Sequence, residues 1–286
     1  MRPSAPGTTH TPRGPAAADA GRPPAGRRAP SGPRVEWLLT GLTLTSIFLA
    51  WWAIARYRVV SELFVPHPAA VWEAFTDVLL EGYRGTTLLR HLADSLYRVI
   101  AGFLLAVVTA VPIGLLIGAS RKARAILDPL IEFYRPLPPL AYYTLLVIWL
   151  GIENASKIAL LYLAAFPPLS VAAMAGVRGV GQERIQGAQS LGASRWQVFR
   201  HVIFPSCLPD IFTGMRVSVG FTYTTLVAAE MVAATSGVGW MVLDASKFLR
   251  SDVIFMGNIV MGLTGIALDR VIRVAERRVV PWKGKA

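Results

Sequence analysis

Residues equipped to make or break bonds are few in this chain, and they do not gather. The single cysteine, Cys207, excludes an internal disulfide and any zinc cluster built from several cysteines. His10, His67, His91 and His201 stand far apart with no pair at metal-ligand spacing, so no metal site is expected. No Gly-x-x-x-x-Gly-Lys-Ser/Thr run occurs, hence no loop that could cradle the phosphates of a nucleotide. Two features remain. One is Glu230, an acid set in an otherwise uncharged run. The other is the long mixed stretch from Gly179 to Asp210.

The elements around them follow from composition. Apolar residues make up 53% of the 286 positions, charged residues only 16%, and the mean hydropathy is +0.48. A soluble domain carries about 25% charge, so a water-soluble enzyme is the poorer reading. Val35 to Ala55 is broken only by Glu36 and is long enough to cross about 30 Å of hydrocarbon as a helix. It exceeds a signal-peptide core of roughly 7–15 residues and is read as an anchor. Similar runs give spans over about 35–55, 96–120, 127–152, 156–177, 211–236 and 253–274, predicting an all-α membrane protein with six transmembrane helices in residues 35–286. Residues 1–34 hold eight prolines, five glycines and six arginines and read as a disordered basic tail. Pro112, Pro167 and Pro168 fall within spans and predict kinks. Gly114 and Gly118 offer a small face for helix packing. Pro68 to Leu80 puts Val71, Phe75, Val78 and Leu79 on one stripe, which suits either a helix on the membrane surface or one packed on the protein.

The net charge of +12 resembles a nucleic-acid footprint until it is divided by segment. The tail, the 119–128 loop, the 176–210 loop and residues 269–286 are each basic and together carry +13; the alternate segments 56–95, 151–157 and 244–252 together carry −1. The excess lies on one side of six alternating spans, which predicts both termini in the cytoplasm and no nucleic-acid partner.

Within 179–205 the sequence spells helix, turn, helix. Ile185, Ala188 and Leu191 share a face, and Gly192 is the residue type that closes a helix in the left-handed conformation. Ser194 to Gln197 has the form of a capping box, restarting a helix with Trp196, Phe199, Val202 and Ile203 until Pro205 stops it. Such a knuckle cannot lie in lipid with Arg184, Arg195 and Arg200 attached. Gln186, Gly187, Ala188 and Gly192, followed after nine residues by Val202-x-Phe204-Pro205, resemble the EAA loop of ABC importer permeases, with Gln and Gly replacing its leading Glu and first Ala. Leu63 to Pro68, the run from Ile126 to Ala141 that includes Tyr134-Arg135-Pro136-Leu137-Pro138-Pro139, Trp149 to Ile152, and Leu226 to Met231 are similar to the taurine, alkanesulfonate and nitrate branch of that family, and most of all to its taurine members.

The resemblance implies a type I importer fold in the inner (cytoplasmic) membrane. It implies two permease copies, ATPase subunits docked on residues 179–205, a substrate-binding protein outside, and ATP and Mg on the partner ATPase, with no cofactor on this chain. The cargo implied is taurine or another sulfonate, with nitrate, bicarbonate or a pyrimidine precursor as alternatives. A channel or carrier that works without an ATPase uses the same spans, and a membrane enzyme lacks a nucleophile or base near a membrane face. Glu230 is a candidate for the pathway or its gate, or for a structural pair, because an unpaired acid at a span centre costs about 2.5–3.5 kcal/mol. Arg216 lies too far along the same helix to be its partner. Glu132 and Arg135 have the spacing to pair across one turn.

Overall fold

The computed structural model describes residues 33–283, among which regular structure is helical, apart from one isolated bridge between Tyr83 and Thr86. The basic tail, as far as residue 32, lies outside the described residues. The described residues divide into two units between Ala50 and Trp51, inside α1 (Pro33–Arg56). In the first unit Leu38, Leu42 and Ile47 are exposed. Two of its hydroxyls stay local: Thr43 donates to the Leu39 carbonyl and Ser46 to that of Thr43, the way a helix satisfies polar groups where water is absent.

After the end of α1 the second unit continues with α2 (Pro68–Leu80), started by His67, whose Nδ1 accepts from the Ala69 N–H, and by Pro68 in the first turn, where a missing N–H costs nothing. Val71, Ala74 and Val78 are buried in a cluster with Met241 of α10 (Val238–Lys247) and Val253 and Met256 of α11 (Ser251–Val279). Of the two readings open for this helix, packing on the protein is the one observed.

The centre of the unit is the contact of α3 (Leu88–Ala119) with α6 (Asn154–Arg178). Small residues recur along α3 at Gly102, Ala106, Ala110 and Gly114, all buried, so the backbones approach as they do in small-xxx-small pairs. A Cβ on Gly114 would meet the Ser170 carbonyl oxygen and the Ala173 Cβ. Gly114→Leu is therefore expected to cost at least about 1–3 kcal/mol through overpacking, read as a lower melting temperature in detergent; an unchanged melt would show that the two helices separate at little cost. On their other sides these helices present exposed apolar residues such as Leu104, Leu105 and Val108. Among the described residues four helices are long and apolar enough to cross a membrane: Trp37–Arg56, Leu88–Ala119, Asn154–Arg178 and Ser251–Val279.

Two segments depart from the expected spans, and so does the end expected for the second helix of the knuckle. The run over 127–152 is two helices, α4 (Arg121–Tyr134) and α5 (Pro139–Leu150). Pro136, Pro138 and Pro139 lack donors, and the residue before a proline avoids the helical region, so the chain unwinds at 135–138 instead of bending through. Twelve residues of α5 cover only about 18 Å. The run expected over 211–236 is α9 (Phe204–Ala233), which ends just after Glu230 and is separate from α10. Pro205 does not stop a helix. It occupies the first turn of α9, and the preceding π-turn Phe199–Ile203 joins α9 to α8 (Arg195–Val198), with the Phe204 N–H bonded to the Phe199 carbonyl. A proline without an N–H is accommodated where the register widens by one residue.

Candidate functional site

Two constructions stand at opposite ends of α9. At its start lies the knuckle. Helix α7 (Gln182–Ser190) closes with the Gly192 N–H on the Gln189 carbonyl at 2.9 Å and the Ala193 N–H on that of Ala188 at 3.1 Å. Gly192 holds φ +85°, a value that side chains with a Cβ rarely adopt. The capping box is formed: Ser194 Oγ accepts from the Gln197 N–H, and Gln197 Oε1 accepts from that of Ser194 at 2.8 Å. Ile185, Phe199, Val202 and Ile203 pack against a cluster that includes Leu115, Val177 and Cys207, fixing the knuckle to the ends of α3, α6 and α9.

Gln186 and Gly187 are exposed on α7, and Ala188, Gly192 and Val202 line a shallow concavity of about 380 Å³. Phe204 lies beside Phe199 at a ring separation of 6.5 Å, and Pro205 is half-buried. Leu191 does not join the packed face of Ile185; it is 91% exposed, and Trp196, at the start of α8, is 65% exposed. The last turn of α7 is the reason, since the chain leaves the helix at Leu191 and the side chain swings away from the bundle.

At the other end of α9 is a buried polar lattice. Glu230 and Arg98 are both essentially inaccessible and pair at 2.6 Å. The carboxylate also accepts from Ser95 Oγ at 2.8 Å and from the Gly239 N–H at 2.9 Å. Arg98 donates further, to Asn154 Oδ1 at 2.8 Å, to the Ser236 carbonyl at 2.8 Å and to Ser236 Oγ at 3.1 Å. Four hydrogen bonds from one guanidinium thus join α3, α6, α9 and the break before α10. Glu230 stands in the last turn of its helix, not at the centre of a span, and so reaches the start of α10.

The start of α10 has no capping side chain of its own. Its free N–H groups, which a helix always leaves at its first turn, are taken up from other elements: Gly237 by His91 Nδ1 at 3.1 Å, Val238 by Ser95 Oγ at 2.9 Å, and Gly239 by Glu230. A carboxylate at a helix start is further stabilised by the helix dipole. With Nδ1 accepting, the His91 proton is assigned to Nε2, which faces the Tyr83 carbonyl at 3.4 Å. The outer side of α10 is held by Asp244, which accepts from the Tyr83 hydroxyl at 3.0 Å and pairs with Arg84 at 3.1 Å; burial, and then the Asp244 carboxylate, push the Tyr83 hydroxyl above its ordinary pKa.

His91, Ser95 and Arg98 went unsingled in the sequence, although their spacing of four and then three places them on one helical face, a polar stripe leading into an apolar run. Arg216, excluded above as the partner of Glu230, pairs with Asp269 of α11 at 2.9 Å. Glu132 and Arg135 form no ion pair with each other.

Against this geometry the comparisons are specific. Residues 110–281 match the family described as binding-protein-dependent transport system inner membrane component. The chain belongs to that family. A taurine transport system permease protein, TauC of Escherichia coli, is 46% identical over 85% of this chain and 89% of its own. A putative aliphatic sulfonates transport permease protein, SsuC of Bacillus subtilis, is 35% identical over 90% and 92%, and a nitrate import permease protein, NrtB of Synechocystis, 31% over 84% and 88%. Among solved structures the fold resembles an inward-facing form of the MetNI methionine ABC transporter, with TM-score 0.55, 18% identity, and 65% of this chain and 95% of that one covered. The protein is thus an ABC transporter permease subunit of the taurine, sulfonate and nitrate branch. Permease subunits of this kind are non-catalytic, ATPase activity lying in a separate subunit.

Proposed function

We propose that this permease subunit carries taurine or another small sulfonate into the cytoplasm, driven by ATP hydrolysis on partner subunits that dock on the 179–205 knuckle. The observation that carries the reading is the knuckle itself. Leu191, on the wall of the concavity, and Trp196, at the start of α8, are large apolar side chains left exposed on the knuckle, a surface suited to meeting a soluble partner. In this reading Gln186, Gly187, Ala188, Gly192, Val202, Phe204 and Pro205 form the ATPase contact, and ATP and Mg are held on the partner. The spans are α1, α3, the α4–α5 pair, α6, α9 and α11, and both termini are cytoplasmic, as the charge partition supports. Two copies form the path in the inner membrane, and a binding protein delivers cargo to the end where α10 lies. Glu230 serves as a structural pair holding that end closed on α3, since its partners are complete.

The substrate class is supported by the relatives named for taurine and aliphatic sulfonates. Reconstituted with its ATPase and binding protein, the complex is expected to raise ATP hydrolysis with taurine and not with nitrate. An equal response to nitrate would replace the sulfonate reading by the nitrate one, and failure of an ATPase to co-purify would remove the coupling reading.

A further inference from the structure

A cavity of about 490 Å³ opens between the α4–α5 break, α6 and α9, and its wall includes Tyr134, Arg135, Tyr142, Pro167, Asp210 and Thr213. Its construction begins with a proline. Pro167 has no N–H, so the Leu163 carbonyl one turn earlier loses its helical donor. The Tyr134 hydroxyl supplies the bond at 2.6 Å and in turn accepts from the Tyr142 hydroxyl at 2.8 Å. This clasp ties the end of α4 to the middle of α6: Leu163 lies roughly 13 Å from one end of that helix and 22 Å from the other. Arg135, next in sequence, is thereby held at mid-helix depth on the cavity wall.

Its guanidinium has no ion-pair or side-chain hydrogen-bond partner among the described residues, unlike Arg98 and Arg216. Cations at this depth are costly in hydrocarbon and face protein, water or cargo. The other ionisable groups of the cavity do not compete. Both tyrosine hydroxyls are engaged with each other. Asp210 sits beside Gly176, thirteen residues further along α6 than Leu163 and so about 20 Å away.

We infer that Arg135 is the anion-contacting residue of the transport path, its guanidinium receiving the sulfonate oxygens of cargo in transit. The inference rests on the importer reading above and names the part of it that meets the substrate. One arginine in an open cavity, without a closed cage, suits a path that must release what it binds. Its planar donors match the oxygens of a sulfonate as they match those of a phosphate.

The test uses the complex of permease, ATPase and binding protein in vesicles of purely zwitterionic lipid. Arg135→Gln is expected to lower taurine uptake about tenfold or more, the worth of one charge-assisted hydrogen bond, while ATP hydrolysis stimulated by the loaded binding protein persists. In the Arg135→Cys variant, modification of the assembled complex with an aminoethyl methanethiosulfonate returns the positive charge and should restore uptake. The sulfonatoethyl reagent should not. Wild-type uptake by Arg135→Gln, or equal recovery with both reagents, overturns the inference. So does a loss seen only in vesicles containing anionic lipid, which would make a lipid headgroup the ligand. If the wild-type complex itself fails to transport or to retain its ATPase, it is the importer reading that falls.

Discussion

Replacing Arg98 by methionine is expected to destabilise the protein by about 3–5 kcal/mol, because it leaves the Glu230 carboxylate buried without its counter-charge. The side chain fills similar volume, so the loss is electrostatic and polar, not a cavity. Three acceptors besides Glu230 also lose their donor, Asn154 Oδ1 and both oxygens of Ser236. Arg98→Lys should fall between, since an ammonium keeps the ion pair but cannot span the same set of acceptors. The decisive comparison is the pair Arg98→Met with Glu230→Gln. It removes both charges and keeps an amide oxygen for the Gly239 N–H, while the amide NH2 turns to Ser95 Oγ as its acceptor, and it should recover part of the loss. Melting in detergent reads all three. A single Arg98→Met that melts with the wild type would show that the lattice is open to water and the pair dispensable.

Gly192→Val should abolish transport while leaving insertion and the membrane-embedded fold intact. Apart from Gly192 itself and its immediate chain neighbours, no atom lies within 4 Å of the position a Cβ would take, so steric crowding is not the cause. The cause is the backbone: φ +85° is hostile to a β-branched residue, and relief requires the turn between α7 and α8 to reopen. Gly192→Asn supplies the control, since asparagine tolerates the left-handed region and should keep both ATPase retention and uptake. The expected pattern is loss with valine, through uncoupling or release of the ATPase, and retention with asparagine. Unchanged ATPase retention and transport in Gly192→Val would sink the assignment of this turn to coupling.

What could be read in advance was what local chemistry dictates. Gly192, the Ser194–Gln197 box, the bounds of α2 and the small residues of α3 follow from rules that act within a turn or two of helix. Arg98 escaped because its partner is 132 positions away and nothing near it in the chain marks the pairing. The prolines were half legible. A missing donor is certain from the sequence, but whether the chain kinks, breaks as at 135–138, or widens into a π-turn as before Pro205 depends on which neighbour supplies the lost bond. Leu191 illustrates the opposite error: its period assigns it to the packed face, and the helix end at Ser190, one residue before it, releases it.

The distance in sequence between Arg98 and Glu230 has a consequence for biogenesis. At about 5–20 residues per second, a ribosome that has finished α3 needs on the order of ten seconds more to deliver the carboxylate. Throughout that interval the emerging permease holds a guanidinium, an imidazole and a hydroxyl on one face with none of their α9 or α10 partners yet made. The finished lattice is therefore assembled after insertion, and the segment from Ser236 to Lys247 cannot settle until helices laid down much earlier have been waiting for it.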